Sequence, residues 1–240
     1  DDACRIVPYL ATLGISHVYA SPIFRAISGS MHGYDVVDYA EINPELGGRA
    51  GLDALVAELH AHDMGLVVDV VPNHMGIEQG ANAWWQDVLE NGQASIHAET
   101  FDIDWTPLKR DLRGKVLLPF LGDQYGNVLE RGELRLAYGE GGLRIDYWDT
   151  PFPLDPRTWP MLLRQAEAAI LEALAPEDLD VLEYESILTA LERLPDAAEL
   201  PDREARFARQ REQIVIRHRL DALVTRNHAI REAGEAAIAS

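Results

Sequence analysis

The stretch Gly65-Leu66-Val67-Val68-Asp69-Val70-Val71-Pro72-Asn73-His74 constrains this chain more than any other. Six of its first seven residues are apolar or glycine, a run that suits a parallel strand covered on both faces. Asp69 interrupts the run. Period-two alternation places it on the face of Val67 and Val71. Pro72 cannot donate to a ladder, so the strand is predicted to end there and to release Asn73 and His74 into a loop. In α/β folds, ligand-binding side chains collect at the carboxyl ends of parallel strands. A carboxylate buried there is costly unless it is paired, so Asp69 requires a cation or several hydrogen-bond donors. The plainer alternative is an Asn-His pair that only caps a turn.

Composition narrows the function classes. The chain has 240 residues, enough for one large domain or a domain with insertions. Apolar residues make up 47%, which supports a sizeable core. The formal net charge of −19 argues against a polyanionic partner such as nucleic acid, and serves solubility. The single cysteine, Cys4, excludes an internal disulfide and fits a reducing, cytoplasmic setting. No apolar run approaches a membrane span, and there is no signal peptide pattern, so no membrane partner is expected. The first residues run straight into a helical pattern without an initiator Met, as in a piece of a longer protein.

Along the chain, Ile6, Val7, Leu10 and Leu13 follow helical spacing, with Pro8 near the first turn and Gly14 at the C-cap position. Ile15 to Ala20 reads as a strand closed by Ser21-Pro22, and a long polar loop follows. An amphipathic helix then runs from Arg49 to about Asp63, with Leu52, Leu55, Val56 and Leu59 on one face. Helix, strand, loop, helix, strand is half of an α/β barrel or of a doubly wound sheet. From Met75 to about Pro156 the helical period fades, and short strand-like pieces appear at 115–119, 133–138 and 143–147. Beyond Arg157 the chain is rich in Ala, Leu, Glu and Arg, and Pro176, Pro195 and Pro201 divide it into three or four helices. The expected domains are residues 1–74, 75–156 and 157–240.

Several of these residues carry a resemblance. Asp69-Val70-Val71-Pro72-Asn73-His74 resembles the first signature region of the α-amylase superfamily of glycoside hydrolases. His32-Gly33-Tyr34-Asp35 is similar to that superfamily's Gly-Tyr-Asp element. More narrowly, Pro8 to His17, Ile42 to Gly48, Trp84 to Gly92, Phe101 to Trp105 and Lys115 to Gly122 resemble the maltooligosyl trehalose synthase family. The ordered set is far more specific than the Asn-His strand end alone. The resemblance covers residues 5 to 155 densely, and the helical tail only by position and composition.

The resemblance implies a partial (β/α)8 TIM barrel, its first strands and helices followed by an irregular β-containing insertion and then a helical one. It implies an isomerase acting on maltooligosaccharides or starch-type α-1,4-glucans. The reducing-end α-1,4 bond would be converted to an α,α-1,1 bond by a retaining mechanism with an Asp nucleophile and a Glu acid. A closed, water-poor pocket would keep the released glucose in place. Tyr34 would stack on the sugar at the cleavage point, His74 and Asn73 would line that subsite, and Asp69 would organise it from below. His32, Asp35, Trp84, Trp85 and Trp105 are further candidates for sugar contacts, with core packing the competing reading for each tryptophan. No cofactor and no metal are implied, and a companion maltooligosyl trehalose trehalohydrolase is a possible partner. A hydrolase or glucanotransferase of the same superfamily, or an inactive maltodextrin-binding fragment, are the alternatives.

The family's nucleophile and acid strands are not found, and are expected downstream of Ser240. So is an Arg that would pair with Asp69. Gly142-Leu143-Arg144-Ile145-Asp146 mimics a nucleophile motif and Leu182-Glu183-Tyr184-Glu185 an acid strand, which would make Asp146 and Glu183 the pair. Glu183 and Glu185, however, lie among apolar residues at helical spacing. His60 and His62, two apart on a helix, point away from each other and do not suggest a metal site. Arg203, Arg206, Arg209 and Arg211, interleaved with Glu204 and Glu212, read as a solvated helix face.

Overall fold

In the computed structural model, residues 2–139, 141–196, 199–200 and 202–239 are described. They form two compact units, residues 1–83 and 84–240.

The first unit is built on a parallel pair of strands, β1 (His17–Ala20) and β4 (Gly65–Val68), with Tyr19 opposite Val67. Two helices, α1 (Asp2–Thr12) and α2 (Gly48–Ala61), cover one face of the pair. Val7, Leu59 and Met64 are buried there against Leu10, Val18, Leu55 and Leu66. Helix α1 stops where Gly14, at φ +86°, lets the Gly14 and Ile15 amides bond back to Ala11 and Leu10. Pro8 lies inside α1, beyond its first turn, and its carbonyl accepts from Thr12 Oγ1.

Two expectations for this unit need correction. Strand β4 ends at Val68 rather than at Val71, because its partner β1 runs out at Ala20 before Ser21-Pro22. The Asp69 amide makes the last ladder bond, to Ala20 O at 2.9 Å. The second face of the pair is open, with Tyr19 and Val67 exposed, so the apolar run is not covered on both sides within this unit. The polar loop after β1 also contains an antiparallel pair, β2 (Phe24–Ala26) and β3 (Val36–Ile42), with irregular register. Mixed polar and apolar residues hide β3 from a period-two reading; Val36 and Val37 are its buried members.

In the second unit, α3 (Ala83–Asn91) leads into an irregular segment, a short helix α4 (Tyr125–Glu130) and an antiparallel sheet. That sheet has the order β5-β6-β7, from β5 (Leu134–Gly139), β6 (Gly142–Tyr147) and β7 (Thr150–Pro153). The strand expected over residues 115–119 is absent: the preceding turns, Gly114 N to Trp105 O and Lys115 N to Leu112 O, leave it without a partner. Helices α5 (Trp159–Leu163), α6 (Glu167–Ala173), α7 (Leu179–Glu192), α8 (Arg203–Arg226) and α9 (His228–Ala239) follow. Asp178 and Asp202 cap α7 and α8, and Asn227 accepts from Ile230 N to start α9 with no proline. Pro201 lies outside the described residues.

The core of this unit joins the sheet to the helices. Leu143 of β6 is buried with Trp159, with Ile187, Leu188 and Leu191 of α7, and with Ile216, Leu220 and Leu223 of α8. Each such side chain contributes about 1.5–3 kcal/mol by leaving water. The arginine row of α8 is not wholly solvated, because Arg209 is buried. Its Nη1 donates to Asn91 Oδ1 at 2.5 Å and its Nε to Pro195 O at 3.0 Å. Beside it, Gln213 Nε2 donates to Glu90 Oε2 at 2.9 Å, and Arg217 pairs with Glu90 Oε1. A polar layer thus fastens the end of α3 to the middle of α8.

Burial lifts the Glu90 carboxyl to about 7, against the opposing pull of Arg217 and the Gln213 hydrogen bond. The folded value lies above the unfolded one, so between about pH 4.5 and 7 the folded unit holds a proton that the unfolded chain has lost. Stability should therefore fall as pH rises through that window, by about 3 kcal/mol. All five tryptophans belong to the second unit, so urea unfolding followed by tryptophan emission reports on it alone. Glu90→Gln should flatten the pH dependence; an unchanged slope would assign it to other groups.

Candidate functional site at the strand ends of the first unit

Asp69 stands at the point where the β1–β4 ladder ends. Its Oδ2 accepts two hydrogen bonds, from Tyr19 Oη and from Tyr34 Oη, each 2.8 Å. Among the described residues it forms no ion pair with a basic side chain; two phenols take the place expected for a cation. The bonds from Tyr34 and then Tyr19 hold the Asp69 carboxyl below the usual carboxylate range, and the same bonds raise both phenols. Tyr19 was not among the sequence candidates. Its signal was present all the same, since it lies opposite Val67, two residues before Asp69 on the same face.

Tyr34 reaches Asp69 because of the residue before it. Gly33 has φ +75°, and a Cβ there would come within 2.8 Å of Pro22 O, so only glycine permits this turn. The loop around it is tied to itself. Ser30 Oγ donates to Asp35 Oδ1 at 2.5 Å and accepts from Gly33 N at 3.1 Å. His32 Nδ1 accepts from Tyr34 N at 3.0 Å, and the two rings lie 6.0 Å apart. Glu45 accepts from Ser28 Oγ and from the Gly29 amide, pinning the start of the loop.

His74 joins the same cluster, with its Nε2 3.0 Å from Tyr34 O. A second unforeseen residue, Tyr39, holds the chain after β4: its hydroxyl donates to Val71 O and, at 3.0 Å, to His74 O. Asn73 is exposed beside it and makes no side-chain hydrogen bond among the described residues. The site is therefore a shelf formed by Tyr19, Tyr34, Asp69 and His74, with His32 and Asp35 along one edge. Within this unit it is not the closed pocket implied by the resemblance, since both tyrosines are exposed.

The tryptophan candidates belong to the second unit. Trp84 is partly exposed and stacks on His97, with centroids 5.0 Å apart and planes at 12°. Trp85 is buried and meets Phe101 edge-on at 5.0 Å. Trp105 donates to Ala98 O at 3.4 Å. The alternative acid pair is not a pair of strand-end carboxylates. Asp146 lies within antiparallel β6, bonded to Arg144 at 2.8 Å, and Glu183 lies on helix α7, paired with Arg219 at 2.8 Å. The Arg219 bond lowers the Glu183 carboxyl, which is the wrong direction for a proton donor. His62 lies 3.2 Å from Glu58, and no cluster of three or more metal-ligating side chains occurs among the described residues.

Replacing Asp69 by Asn removes the charge that both phenols face. The alkaline midpoints of Tyr19 and Tyr34, followed by ultraviolet difference absorption, should both fall toward the ordinary phenol value. Midpoints unchanged in Asp69→Asn would contradict the shared bonding.

This arrangement can be set beside known proteins. The family model described as "Alpha amylase, catalytic domain" matches residues 5–126. A protein of Mycobacterium tuberculosis (strain ATCC 25618 / H37Rv), described as a maltooligosyl trehalose synthase, is 44% identical over 149 residues, 58% of this chain and 19% of its own length. A cyclomaltodextrinase of Geobacillus thermopakistaniensis (strain MAS1) is 36% identical over 151 residues, 61% of this chain and 24% of its own. Among solved structures, maltooligosyltrehalose synthase from Arthrobacter ramosus aligns with a TM-score of 0.56 at 44% identity, covering 64% of this chain and 19% of that one. The chain thus spans about one-fifth of the length of the relatives it matches. With the family match extending over half of its residues, the chain belongs to the alpha-amylase family.

Proposed function

We propose that this chain is the N-terminal portion of a maltooligosyl trehalose synthase, an isomerase that converts the reducing-end α-1,4 bond of a maltooligosaccharide to an α,α-1,1 bond. The observation that carries the reading is the shelf at the end of β1 and β4, where Tyr34 and His74 meet around Asp69. The 44% identity to proteins of that name supports the choice within the family. In this reading β1 and β4 are early strands of a (β/α)8 barrel, and the nucleophile, the acid and the cover over the shelf lie outside this chain.

The chemistry follows from the retaining scheme. A carboxylate attacks the anomeric carbon next to the terminal α-1,4 bond while a carboxylic acid protonates the leaving oxygen. The freed glucose stays, turns, and attacks the anomeric carbon of the glycosyl-enzyme through its own anomeric hydroxyl; the nucleophile carboxylate leaves, and the hydroxyl proton returns to the residue that had acted as the acid. This chain's share is positioning. The Tyr34 ring offers a flat face to the C–H face of a pyranose, held in place by the Asp69 bond. Asn73 presents donors to sugar hydroxyls, and His74, whose Nε2–H donates to Tyr34 O, leaves its Nδ1 for a hydrogen bond with the sugar. His32 and Asp35 border the same subsite. In the second unit Trp84, partly exposed, offers further aromatic surface to the glucan, whereas Trp85, also a sequence candidate, is buried and packs against Phe101. Hydrolysis or glucan transfer is the second reading, supported by the 36% identity to a cyclomaltodextrinase.

Incubating the full-length polypeptide with maltopentaose separates the two readings. Isomerase action removes reducing ends and yields a non-reducing product of unchanged mass, whereas hydrolysis raises reducing sugar. His74→Ala should lower kcat by about 10²–10³-fold, the usual loss of one well-placed transition-state hydrogen bond. Tyr34→Phe, which keeps the ring and loses only the Asp69 bond, should be milder than Tyr34→Ala.

A further inference from the structure

The hairpin joining β6 to β7 closes in two residues, Trp148 and Asp149, since Tyr147 pairs with Thr150. Trp148 has φ +55°, a conformation that turns of this kind reserve for Gly, Asn or Asp. It gains little from burial, being 73% exposed. A bulky indole held in a strained backbone and facing water has little structural return beyond one edge contact with Tyr147, which points to a ligand.

Trp148 is also not alone. The Tyr147 ring meets it edge-on, with centroids 6.5 Å apart, and Phe120 meets Tyr147 edge-on at 5.5 Å. Phe120 in turn stacks on Phe152 at 4.1 Å, and 40% of Phe120 is exposed. The patch is preformed. Tyr147 Oη accepts from the Gly122 amide at 3.0 Å, tying the irregular segment to the sheet, and Phe152 is fixed opposite Ile145 in the ladder. Asp149, the other residue of the turn, is exposed.

We propose that Trp148, Tyr147, Phe120 and Phe152 form a second binding site for α-1,4-linked glucan, on the second unit and separate from the Asp69 shelf. The ligand class follows from the chemistry. Aromatic faces suit the C–H faces of glucose units, and Asp149 can accept from sugar hydroxyls. A formal charge of −19 disfavours a polyanion, whereas a neutral polyhydroxyl chain meets no such barrier. The choice of glucan over other neutral sugars rests on the function proposed above.

The test uses the 240-residue chain and maltoheptaose, with acrylamide quenching of tryptophan emission as the readout. Trp159 and Trp85 are buried, while Trp148 is 73% and Trp84 37% exposed and Trp105 is partly exposed, so the Trp148 contribution is read as the quenchable emission that Trp148→Gly removes. Maltoheptaose should protect this signal, and Tyr34→Ala should leave the protection in place. Trp148→Gly suits the turn, so it should fold at least as stably as the parent while losing the protection, and Phe120→Ala should weaken sugar affinity at the patch at least tenfold. A Trp148 signal indifferent to maltoheptaose, with Tyr34-dependent binding still measurable by calorimetry, would overturn this site and leave the glucan reading standing. Loss of both signals would overturn the two together. Protection that rises with protein concentration in the absence of sugar would assign the patch to contact between copies of the chain, and would equally overturn the proposal.

Discussion

The Asp69 carboxylate sits where the β1–β4 ladder runs out, and both hydroxyls that reach it share its Oδ2 atom. A charge at the end of an apolar strand needs donors, and those donors determine which loops can lie nearby. One comes from the neighbouring strand and the other from the long loop that follows it, so a single atom fixes Tyr19 and Tyr34 together. His74 is placed by its contact with Tyr34 O and by the bonds of Tyr39 to the backbone on either side of Pro72. Most of the polar geometry of the first unit follows from these few bonds. Gly33 supplies the backbone freedom that lets Tyr34 take part.

The second unit is organised differently. Its sheet and helices share one apolar core, but the contact between α3 and α8 is polar and buried, built on Glu90, Asn91, Arg209 and Gln213 with Arg217 at its edge. Such a layer is costly unless every member is answered, and when answered it admits few alternative packings. It also fixes the helix that carries Trp84 and Trp85. The proposed sugar contact of Trp84 and the pH response of Glu90 are therefore linked through one element.

Much of this was legible in the residues. The helical spacing of α1 and α2 and the strands near 15–20 and 65–68 follow from periodicity, which also puts Asp69 at a strand end. What escaped was pairwise. The partners of Asp69 are far apart in sequence, so a missing arginine was expected where two phenols stand, and Tyr39 acts through backbone carbonyls that no pattern marks. Strand β3 was hidden because its seven residues alternate imperfectly, while 115–119 looked like a strand and found no partner. Arg209 looked like one more charge on a solvated row, and only the packing of α3 shows it to be buried. Side-chain period gives the face a residue occupies, but not whether another element covers that face.

The central claim is that Tyr34 and His74, held around Asp69, form one glucan-binding surface. Selective ¹³C labelling of tyrosine and histidine rings in the 240-residue chain, followed by nuclear magnetic resonance during a maltoheptaose titration, tests it most directly. The Tyr34 and His74 signals should shift together along one saturation curve, with those of Tyr9, exposed on α1, unmoved. Tyr34 and His74 signals that stay in place, or that follow separate curves, would contradict it.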